Sequence, residues 1–305
     1  MQITIKLISE LRERTQAGMA DCKSALVEAD GDMDKAVDVI MKKGLVKAAK
    51  TAGKVASEGE VRTWVSADGK HGVIVEVNSQ TDFVSRGDDF KNFVTAVVET
   101  AASLAPGADI LTAHLKGSDQ TVELARQALA GKIGENIVVR RWESLSVKGD
   151  GFVHAYIHMG GKNASLVAVE TAAHGHPDVK SFIDNVAMQI VAMRPHAVSK
   201  TDIAETHVAK QKEIFEGQLK EEGKPEASWA KILEGKIGKW FTEITLMGQD
   251  NVWEPGAGTI EKILGELSSR AGGVKVSSFV RFELGEGIEK AKENLADEVA
   301  KTIAG

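Results

Sequence analysis

Residues 61–77 read VRTWVSADGKHGVIVEV, and residues 153–169 read VHAYIHMGGKNASLVAV. Each stretch alternates apolar and polar residues around a turn, Asp68-Gly69 in the first and Gly160-Gly161 in the second. Such alternation around a glycine-containing dipeptide predicts a β-hairpin. A constant interval of 92 residues aligns the matched pairs Val61 with Val153, Trp64 with Tyr156, Gly69 with Gly161, Lys70 with Lys162, and Val77 with Val169. The chain therefore contains an internal duplication.

Matched elements follow each hairpin. Amphipathic helices are predicted over 88–103 (DDFKNFVTAVVETAAS) and 177–193 (PDVKSFIDNVAMQIVAM), aligned at an interval of 89, so the first copy holds three more residues before its helix. The tetrapeptide GKIG at 131–134 precedes the predicted strand NIVVRRWESLSV, and GKIG at 235–238 precedes KWFTEITLMGQ, interpreted as the equivalent element. The pattern predicts two β-β-α…α-β subdomains of the α+β class, with helices against antiparallel sheets.

A small helical bundle is predicted ahead of the duplication. Three amphipathic helices fit the first 44 or so residues, with Asp32 capping the third and Gly44 at its C-terminal cap. Cys22 lies on the apolar face of the second helix, and a lone cysteine is usually a packing residue. The stretch 45–60 is interpreted as a linker. Its lysines, expected in solvent, are Lys47, Lys50 and Lys54.

The second copy carries extra, highly charged sequence between about 196 and 228. This insertion is either a solvated helical excursion or a protruding helical hairpin used for self-association. Beyond it, Thr259 caps a predicted helix and 274–284 (VKVSSFVRFEL) predicts a strand. A final helix is expected, with Ile288, Ala291, Leu295, Val299 and Ile303 on its apolar side.

The 305 residues are enough for several modules. The predicted division is an N-terminal three-helix bundle plus linker (1–54), a first core subdomain (55–148), a second core subdomain with the helical insertion (149–278), and a C-terminal module (279–305). The fold class is thus α+β: a bundle, a duplicated core with antiparallel sheets, a helical-hairpin insertion and a C-terminal helix.

Composition narrows the function classes. Apolar residues make up 43% and charged residues 27%, which is typical of a globular chain. The net charge of −6 argues against a protein that coats nucleic acid without sequence preference. The sequence contains no run of about 18 apolar residues, so no membrane span is predicted. Cys22 alone cannot form an internal disulfide, and the charged N-terminus does not read as a secretory signal. A cytoplasmic location is expected.

Catalytic motifs are missing from the sequence. No P-loop, dinucleotide fingerprint, HExxH or GxSxG occurs. A zinc site built from histidines is one alternative, but no carboxylate pattern completes it, so surface or packed histidines are favoured. The four histidines of this alternative are His154, His158, His174 and His176.

The lysine-rich stretch 45–60 could bind RNA, although it lacks an aromatic stacking platform.

The largely polar segment Glu76–Arg86 occupies the connection that is longer in the first copy. A strand-to-helix loop tolerates extra residues and is a usual place for function. Phe83 beside Asp82 has two interpretations. Phe83 could fold back into the core while Asp82 caps a turn, or Phe83 could be a wedge for a partner pocket. Spacing alone favours the core interpretation.

Three motifs stand out along the chain. The N-terminal one comprises Leu11-Arg12, Thr15, Gly18-Met19, Asp21-Cys22-Lys23 and Ala25-Leu26. The second is Glu76–Arg86 with Thr81-Asp82-Phe83-Val84 intact, and the third is Arg281–Lys290. Together they resemble the signatures of the elongation factor Ts family of bacteria. The resemblance covers essentially the whole chain in order. Gln16 departs from the family pattern, which most often has glycine there.

The resemblance implies a UBA-like bundle and a guanine-nucleotide exchange factor for elongation factor Tu, which would bind that partner in GDP-bound and nucleotide-free states. Such a protein is not an enzyme that makes or breaks covalent bonds, and it needs no cofactor or metal, DNA or membrane. Thr81, Asp82, Phe83 and Val84 would dislocate Mg²⁺ from the partner and loosen its phosphate-binding loop. Further implied contacts are Met19, Lys23, His158, Arg281 and Phe282, and the insertion could form a homodimer.

Overall fold

A computed structural model describes residues 3–15 and 17–289. The N-terminal part is helical: α1 (Ile5–Thr15), α2 (Met19–Glu28) and α3 (Met33–Thr51). Leu11, Cys22 and Leu26 are fully buried between these helices, as their apolar spacing predicts. Asp32 caps α3 by accepting from the backbone N–H groups of Asp34 and Lys35. Gln16, the departure from the family motif, lies outside the described residues.

The third helix is longer than predicted. Gly44 does not end α3, which continues to Thr51, so residues 45–51 are not a linker. A methyl group on Gly131 would overlap the backbone of Gly44, because the two glycines let α3 and α6 (Val122–Ile133) approach closely. Ala48 is buried in the added turns. Gly44 therefore permits close packing of two helices and does not end α3, contrary to the prediction.

The first copy of the duplication consists of β1 (Glu58–Val65), β2 (His71–Ser79), α4 (Asp82–Arg86), α5 (Asp88–Ala101), α6 and β3 (Ile137–Ser146). The three strands form a sheet in the order β1-β2-β3. The second copy consists of β4 (Gly151–His158), β5 (Asn163–Glu170), α7 (Pro177–Met193), α8 (Glu205–Glu221), α9 (Trp229–Ile244), α10 (Ile260–Ala271) and β6 (Lys275–Glu283), with strand order β4-β5-β6.

Equivalent residues adopt equivalent conformations in the two copies. Gly59 and Gly151, 92 residues apart, both have positive φ, of 133° and 147°, and both lie against a carbonyl oxygen, of Val77 and Val169. The apolar faces of α5 and α7 match at the interval of 89 and are buried: Phe93 and Phe182, Val94 and Ile183, Val97 and Val186. The α+β class with antiparallel sheets is confirmed.

The predicted match between 239–249 and the last strand of the first copy is wrong. The segment 239–244 is not a strand but the end of α9, which runs through Gly235 and Gly238 to Ile244. In the first copy Gly134 adopts φ of 84° and ends α6, whereas the second copy uses Gly272, at 88°, to end α10. An interval of 138 residues relates these glycines, and β6 is the counterpart of β3. Identical tetrapeptides thus occupy different structures.

The insertion is a helical hairpin of α8 packed on α9. It is longer than the predicted 196–228, because its second helix ends at Ile244. None of the described helices is long and apolar enough to cross a membrane. The expected last helix, with Ala291, Leu295, Val299 and Ile303, lies outside the described residues.

The described residues form two compact units. One comprises the residues up to Arg62, Val75–Trp142 and those from Glu283 on; the other comprises Thr63–Ile74 and Glu143–Phe282. In the second unit α7 packs on β4 and β5 and α10 packs on α7, enclosing a core of Val167, Val169, Phe182, Ile183, Val186, Ile190, Leu246, Ile260 and Leu267. The division into four modules stays a prediction.

Candidate functional site

The segment Thr81–Val84, here called the α4 tip, begins two residues after the end of β2. It is not an irregular loop. Thr81 is extended, with φ of −119° and ψ of 154°, and α4 then makes little more than one helical turn from Asp82 to Arg86. Gly87 ends this turn by donating its N–H to the carbonyl of Val84. The extra residues of the first copy therefore build a short helix that begins at Asp82.

Phe83 projects from this turn into solvent. Its side chain is 81% exposed, the highest value among the large hydrophobic residues that stand out from the described surface. Phe90 and Phe93 of the next helix are 0% and 7% exposed and occupy the core instead. The core interpretation of Phe83 is wrong. Leaving a phenylalanine in water forgoes about 1.5–3 kcal/mol of burial energy, which a binding partner could recover.

Asp82 pairs with Arg86 one turn later. Its carboxylate lies 2.6 Å from the guanidinium of Arg86, and both side chains are substantially exposed. Ser85 donates its hydroxyl to the backbone carbonyl of Asp82. Exposed ion pairs of this kind contribute little to stability, so the Asp82 carboxylate can leave Arg86 at low cost.

The base of the α4 tip is held by a residue that sequence analysis did not single out. The Glu135 carboxylate accepts two hydrogen bonds from Thr81, 3.1 Å from the backbone N–H and 2.9 Å from the hydroxyl. The buried Ser79 hydroxyl donates to the Thr81 carbonyl at 2.9 Å. No local pattern predicts this contact, because 54 residues separate Glu135 from Thr81.

A buried carboxylate lies three residues before the end of β2. Glu76 is inaccessible to solvent and accepts hydrogen bonds from Arg140 at 2.9 Å, Arg141 at 2.6 Å and the Gly285 N–H at 2.8 Å. Asn78 donates to the same carboxylate at 3.1 Å. Burial alone would raise the pKa of Glu76, but these hydrogen bonds together hold it below its ordinary value.

The two arginines extend this cluster to the third sequence motif. Arg141 also donates to the Glu283 carbonyl at 3.1 Å, and Arg140 donates to the Glu286 carbonyl. The turn at 283–286 is therefore attached to β2 and β3 through one buried charge. The remainder of that motif, Lys290, lies outside the described residues.

The other implied contact residues differ in exposure. Met19 is 45% exposed and Lys23 is exposed on α2. His158 is exposed at the tip of the β4–β5 hairpin, where it stacks on Tyr156 with ring centroids 5.9 Å apart. Arg281 is half-buried, and Phe282 is only 5% exposed. Phe282 is a core residue in this structure, so the expectation that it contacts a partner directly is not supported.

The histidines do not converge. His154 pairs with Asp184 at 3.0 Å, His158 bonds to Tyr156, and His176 caps α7 through the N–H of Asp178. Burial lowers the pKa of His154, and the nearby Asp184 carboxylate opposes that shift. Within the described part of the chain no three His, Cys, Asp or Glu side chains are grouped so as to hold a metal ion.

The lysine-rich stretch has a structural explanation for part of its charge. Lys47 lies on α3 and pairs with Asp21 at 3.0 Å, and Lys43 pairs with Glu28 at 2.8 Å. Lys50 and Lys54 are exposed, as predicted. Residues 45–51 are thus helical, and their apolar side is packed against the rest of the protein. Because Lys47 is paired with Asp21, the lysines do not form a continuous row of unpaired charges that could bind RNA.

Comparison with known proteins identifies the family. The family model described as Elongation factor TS matches residues 80–286. Elongation factor Ts of Clostridium botulinum (strain Eklund 17B) is 43% identical over 304 residues, covering 99% of both chains. The protein of the same name from Clostridium perfringens is 45% identical over 98% of both chains, and that of a Nitratiruptor species is 44% identical over 98% of this chain and 99% of its own. With a matching segment that carries both the α4 tip and Glu135, the chain belongs to the elongation factor Ts family.

Proposed function

We propose that this chain is a guanine-nucleotide exchange factor for elongation factor Tu, acting in translation elongation in the cytoplasm. The observation that carries the proposal is Phe83, 81% exposed at the tip of a helix whose base is hydrogen-bonded to Glu135. Family membership supports the choice of partner. The protein would act by binding, without forming or breaking covalent bonds.

The physical basis is thermodynamic linkage. A factor that binds the nucleotide-free state of its partner more tightly than the GDP state weakens GDP binding by the same coupling free energy. Typical couplings of about 1–3 kcal/mol change affinity roughly 5–150-fold, and an exchange factor needs the upper end or more. A rigid aromatic side chain suits this task, because it can enter a pocket that exists in one state of the partner and not in the other.

The finer mechanism is that the α4 tip disturbs the partner's Mg²⁺ site and phosphate-binding loop. Phe83 would insert between structural elements of the GTPase domain. The Asp82 carboxylate would leave its ion pair with Arg86 and bind groups of the partner instead. Mg²⁺ neutralises phosphate charge, so displacing it removes much of the affinity for GDP. Thr81 and Val84 would contribute less directly, since Thr81 is tied to Glu135 and Val84 is half-buried.

Other surfaces would supply docking affinity. Met19 and Lys23 on α2 are accessible for contact with the GTPase domain, and His158 lies on an exposed hairpin tip that also presents Met159, 72% exposed. Arg281 remains a candidate. We also retain homodimer formation through the α8–α9 hairpin as a proposal, which light scattering on wild type and Ile214→Glu would test; Ile214 is 47% exposed on α8.

The test is release of labelled GDP from purified elongation factor Tu. Wild type at substoichiometric concentration should accelerate release. Asp82→Ala combined with Phe83→Ala should reduce the acceleration by at least roughly tenfold, as expected for loss of a hot spot of about 1.4 kcal/mol or more. Val252→Ala is the matched control, since Val252 is a 47% exposed apolar residue that belongs to none of the proposed contacts.

Two results would contradict the proposal at different levels. If wild type does not accelerate GDP release, the exchange function is wrong. If wild type accelerates release and the folded double variant does so equally, the function stands and the wedge mechanism fails. Measuring Mg²⁺ dependence separates the finer step, because a factor that displaces Mg²⁺ should lose relative effect when EDTA has already removed the ion.

A further inference from the structure

The Glu135 carboxylate is placed by its own turn before it reaches the α4 tip. Gly134 ends α6 in the left-handed conformation, with φ of 84°, and turns the chain toward β3. The next residue, Glu135, is half-buried and aims both carboxylate oxygens at Thr81. A two-point hydrogen bond fixes orientation as well as distance, because the N–H and the hydroxyl of one residue must both meet the same carboxylate.

The turn is also anchored on its far side. Asn136, 5% exposed, donates from its side-chain amide to the carbonyls of Ala52 at 3.2 Å and Lys54 at 2.8 Å, just after α3. The close approach of Gly131 to Gly44 lies one turn earlier in α6. Glu135 therefore extends from a backbone that is attached to α3 by packing and by hydrogen bonds, so its position is well determined.

The second copy supplies an internal comparison. At the interval of 138 residues, Gly273 stands where the first copy has Glu135. At the interval of 92, Thr171 stands where the first copy has Ser79, and its hydroxyl donates to the Gly273 carbonyl at 2.8 Å. The second copy has neither a short helix after β5 nor a carboxylate at this turn. The carboxylate occurs in the copy that has the α4 tip.

We propose that Glu135 is a positioning residue for nucleotide exchange: its paired hydrogen bonds to Thr81 hold the first turn of α4 so that Phe83 and Asp82 are presented in one orientation. This inference rests on the proposed exchange function. A helix of little more than one turn is unstable alone, because nucleation fixes several residues for few hydrogen bonds. Without the carboxylate the tip would have to be ordered on binding, which raises the barrier to exchange.

The variants that test this are Glu135→Met and Thr81→Val. Methionine keeps the length of the side chain but offers no oxygen acceptor to either donor of Thr81, and valine removes the hydroxyl while keeping the shape. Each should lower the maximal rate of GDP release roughly three- to tenfold, with less than about a twofold change in the concentration of elongation factor Tu·GDP giving half the maximal rate. Docking surfaces elsewhere are untouched, so the half-saturating concentration should hold.

Three controls separate positioning from general loss of stability. Thr81→Ser keeps both donors and should recover most of the rate that Thr81→Val loses. Val186→Ala, in the buried core of the second copy, should lower the melting temperature while leaving the maximal rate of the folded protein unchanged. The double variant Glu135→Met with Thr81→Val should be about as slow as Glu135→Met alone, because methionine already removes both hydrogen bonds to Thr81.

Wild type and variants are compared under conditions where all are folded. Wild-type rates for Glu135→Met, or a double variant whose loss is the product of the single losses, would overturn the positioning role while leaving the exchange function intact. No acceleration by wild type would overturn the exchange function itself. Hydrogen exchange of the free protein adds a second readout: amides of residues 81–86 should exchange faster in Glu135→Met, and unchanged protection there would also overturn the inference.

Discussion

The two copies of the core share a scaffold and differ where the first copy would meet a partner. Both have a glycine of positive φ against a carbonyl near the start of the hairpin, and both start their last helix with a threonine cap and end it with a left-handed glycine. The matched pairs are Gly59 with Gly151, Thr121 with Thr259, and Gly134 with Gly272. These residues serve backbone geometry, which any copy of the fold requires.

The differences fall at the two connections. After β2 the first copy inserts α4, holds it with Glu135 and leaves Phe83 in solvent. The second copy passes from β5 to α7 directly but inserts the α8–α9 hairpin later. Duplicated scaffolds thus acquire distinct surfaces through their connections, where added residues disturb the core least. Substitutions can show whether a given residue belongs to the shared scaffold or to one copy alone.

The largest effect is expected at the paired glycines. Gly59→Ala and Gly151→Ala each place a methyl group into a backbone carbonyl oxygen at positive φ, so each should lower the free energy of unfolding by about 4 kcal/mol or prevent folding. Gly53→Ala is the control, because a methyl group there meets no atom within 4 Å. Urea unfolding measures the loss. A tolerated change in only one copy would show that the scaffold is not equivalent.

The next effect distinguishes the copies. Glu76 lies buried between Arg140 and Arg141, whereas the equivalent position at the interval of 92 is the buried Ala168. Glu76→Gln leaves the two arginines facing a neutral group, so it should lower the free energy of unfolding by about 3 kcal/mol. Glu143→Gln, on the exposed part of β3, is the control and should cost less than about 0.5 kcal/mol. Equal losses in the two variants would contradict the role of the buried charge.

The same carboxylate makes stability depend on pH. Because the folded-state pKa of Glu76 lies below its ordinary value of 4.5, the ionised group stabilises the fold above that pH, and this contribution is lost as pH falls through the folded-state pKa. The stability difference between wild type and Glu76→Gln should therefore narrow as the pH is lowered below about 4.5. A difference that stays constant across this range would contradict the assignment.

Removal of a helix cap should lower the free energy of unfolding by less than the loss of the Glu76 charge does, and by the same amount in both copies. Thr121 and Thr259 each accept a hydrogen bond from the N–H three residues on, at 3.3 Å in both cases. Thr121→Ala and Thr259→Ala should each lower the free energy of unfolding by about 1 kcal/mol, and Thr121→Ser should restore most of it. Thermal unfolding of the three variants measures this. A loss confined to one copy would break the equivalence of α6 and α10.

Much of this scaffold could be predicted from sequence, because its signals are local. The hairpin turns, the Asp32 and Thr259 caps and the buried faces of α5 and α7 follow from residues that are neighbours along the chain. The errors arose where distant residues decide. Gly44 continues a helix because Gly131 packs on it, and Gly238 stays helical because the third strand is supplied later by β6.

The site was predicted only in part for the same reason. The sequence points to residues 81–84, because their connection is longer than its counterpart and because they resemble a family motif. Whether Phe83 points inward or outward depends on a single helical turn, and spacing favoured the wrong answer. Glu135 carries no local signal, since its significance comes from a hydrogen bond across 54 residues. An internal alignment at an interval of 138 residues places Glu135 opposite Gly273. That difference between the copies is the sequence signal that could have drawn attention to Glu135.

The smallest change in stability is expected at the most exposed residue. Phe83→Ala removes a side chain that is 81% exposed, so the free energy of unfolding should change by less than about 0.5 kcal/mol. Phe182→Ala, at the buried helix of the second copy, should cost about 3–5 kcal/mol. If Phe83→Ala destabilises the free protein as much as Phe182→Ala does, then Phe83 is a scaffold residue and the comparison between the copies fails. If it leaves stability unchanged while abolishing accelerated GDP release, then Phe83 serves partner binding and not the fold. The connection after β2 is then the place where the first copy carries a binding residue that the second copy lacks.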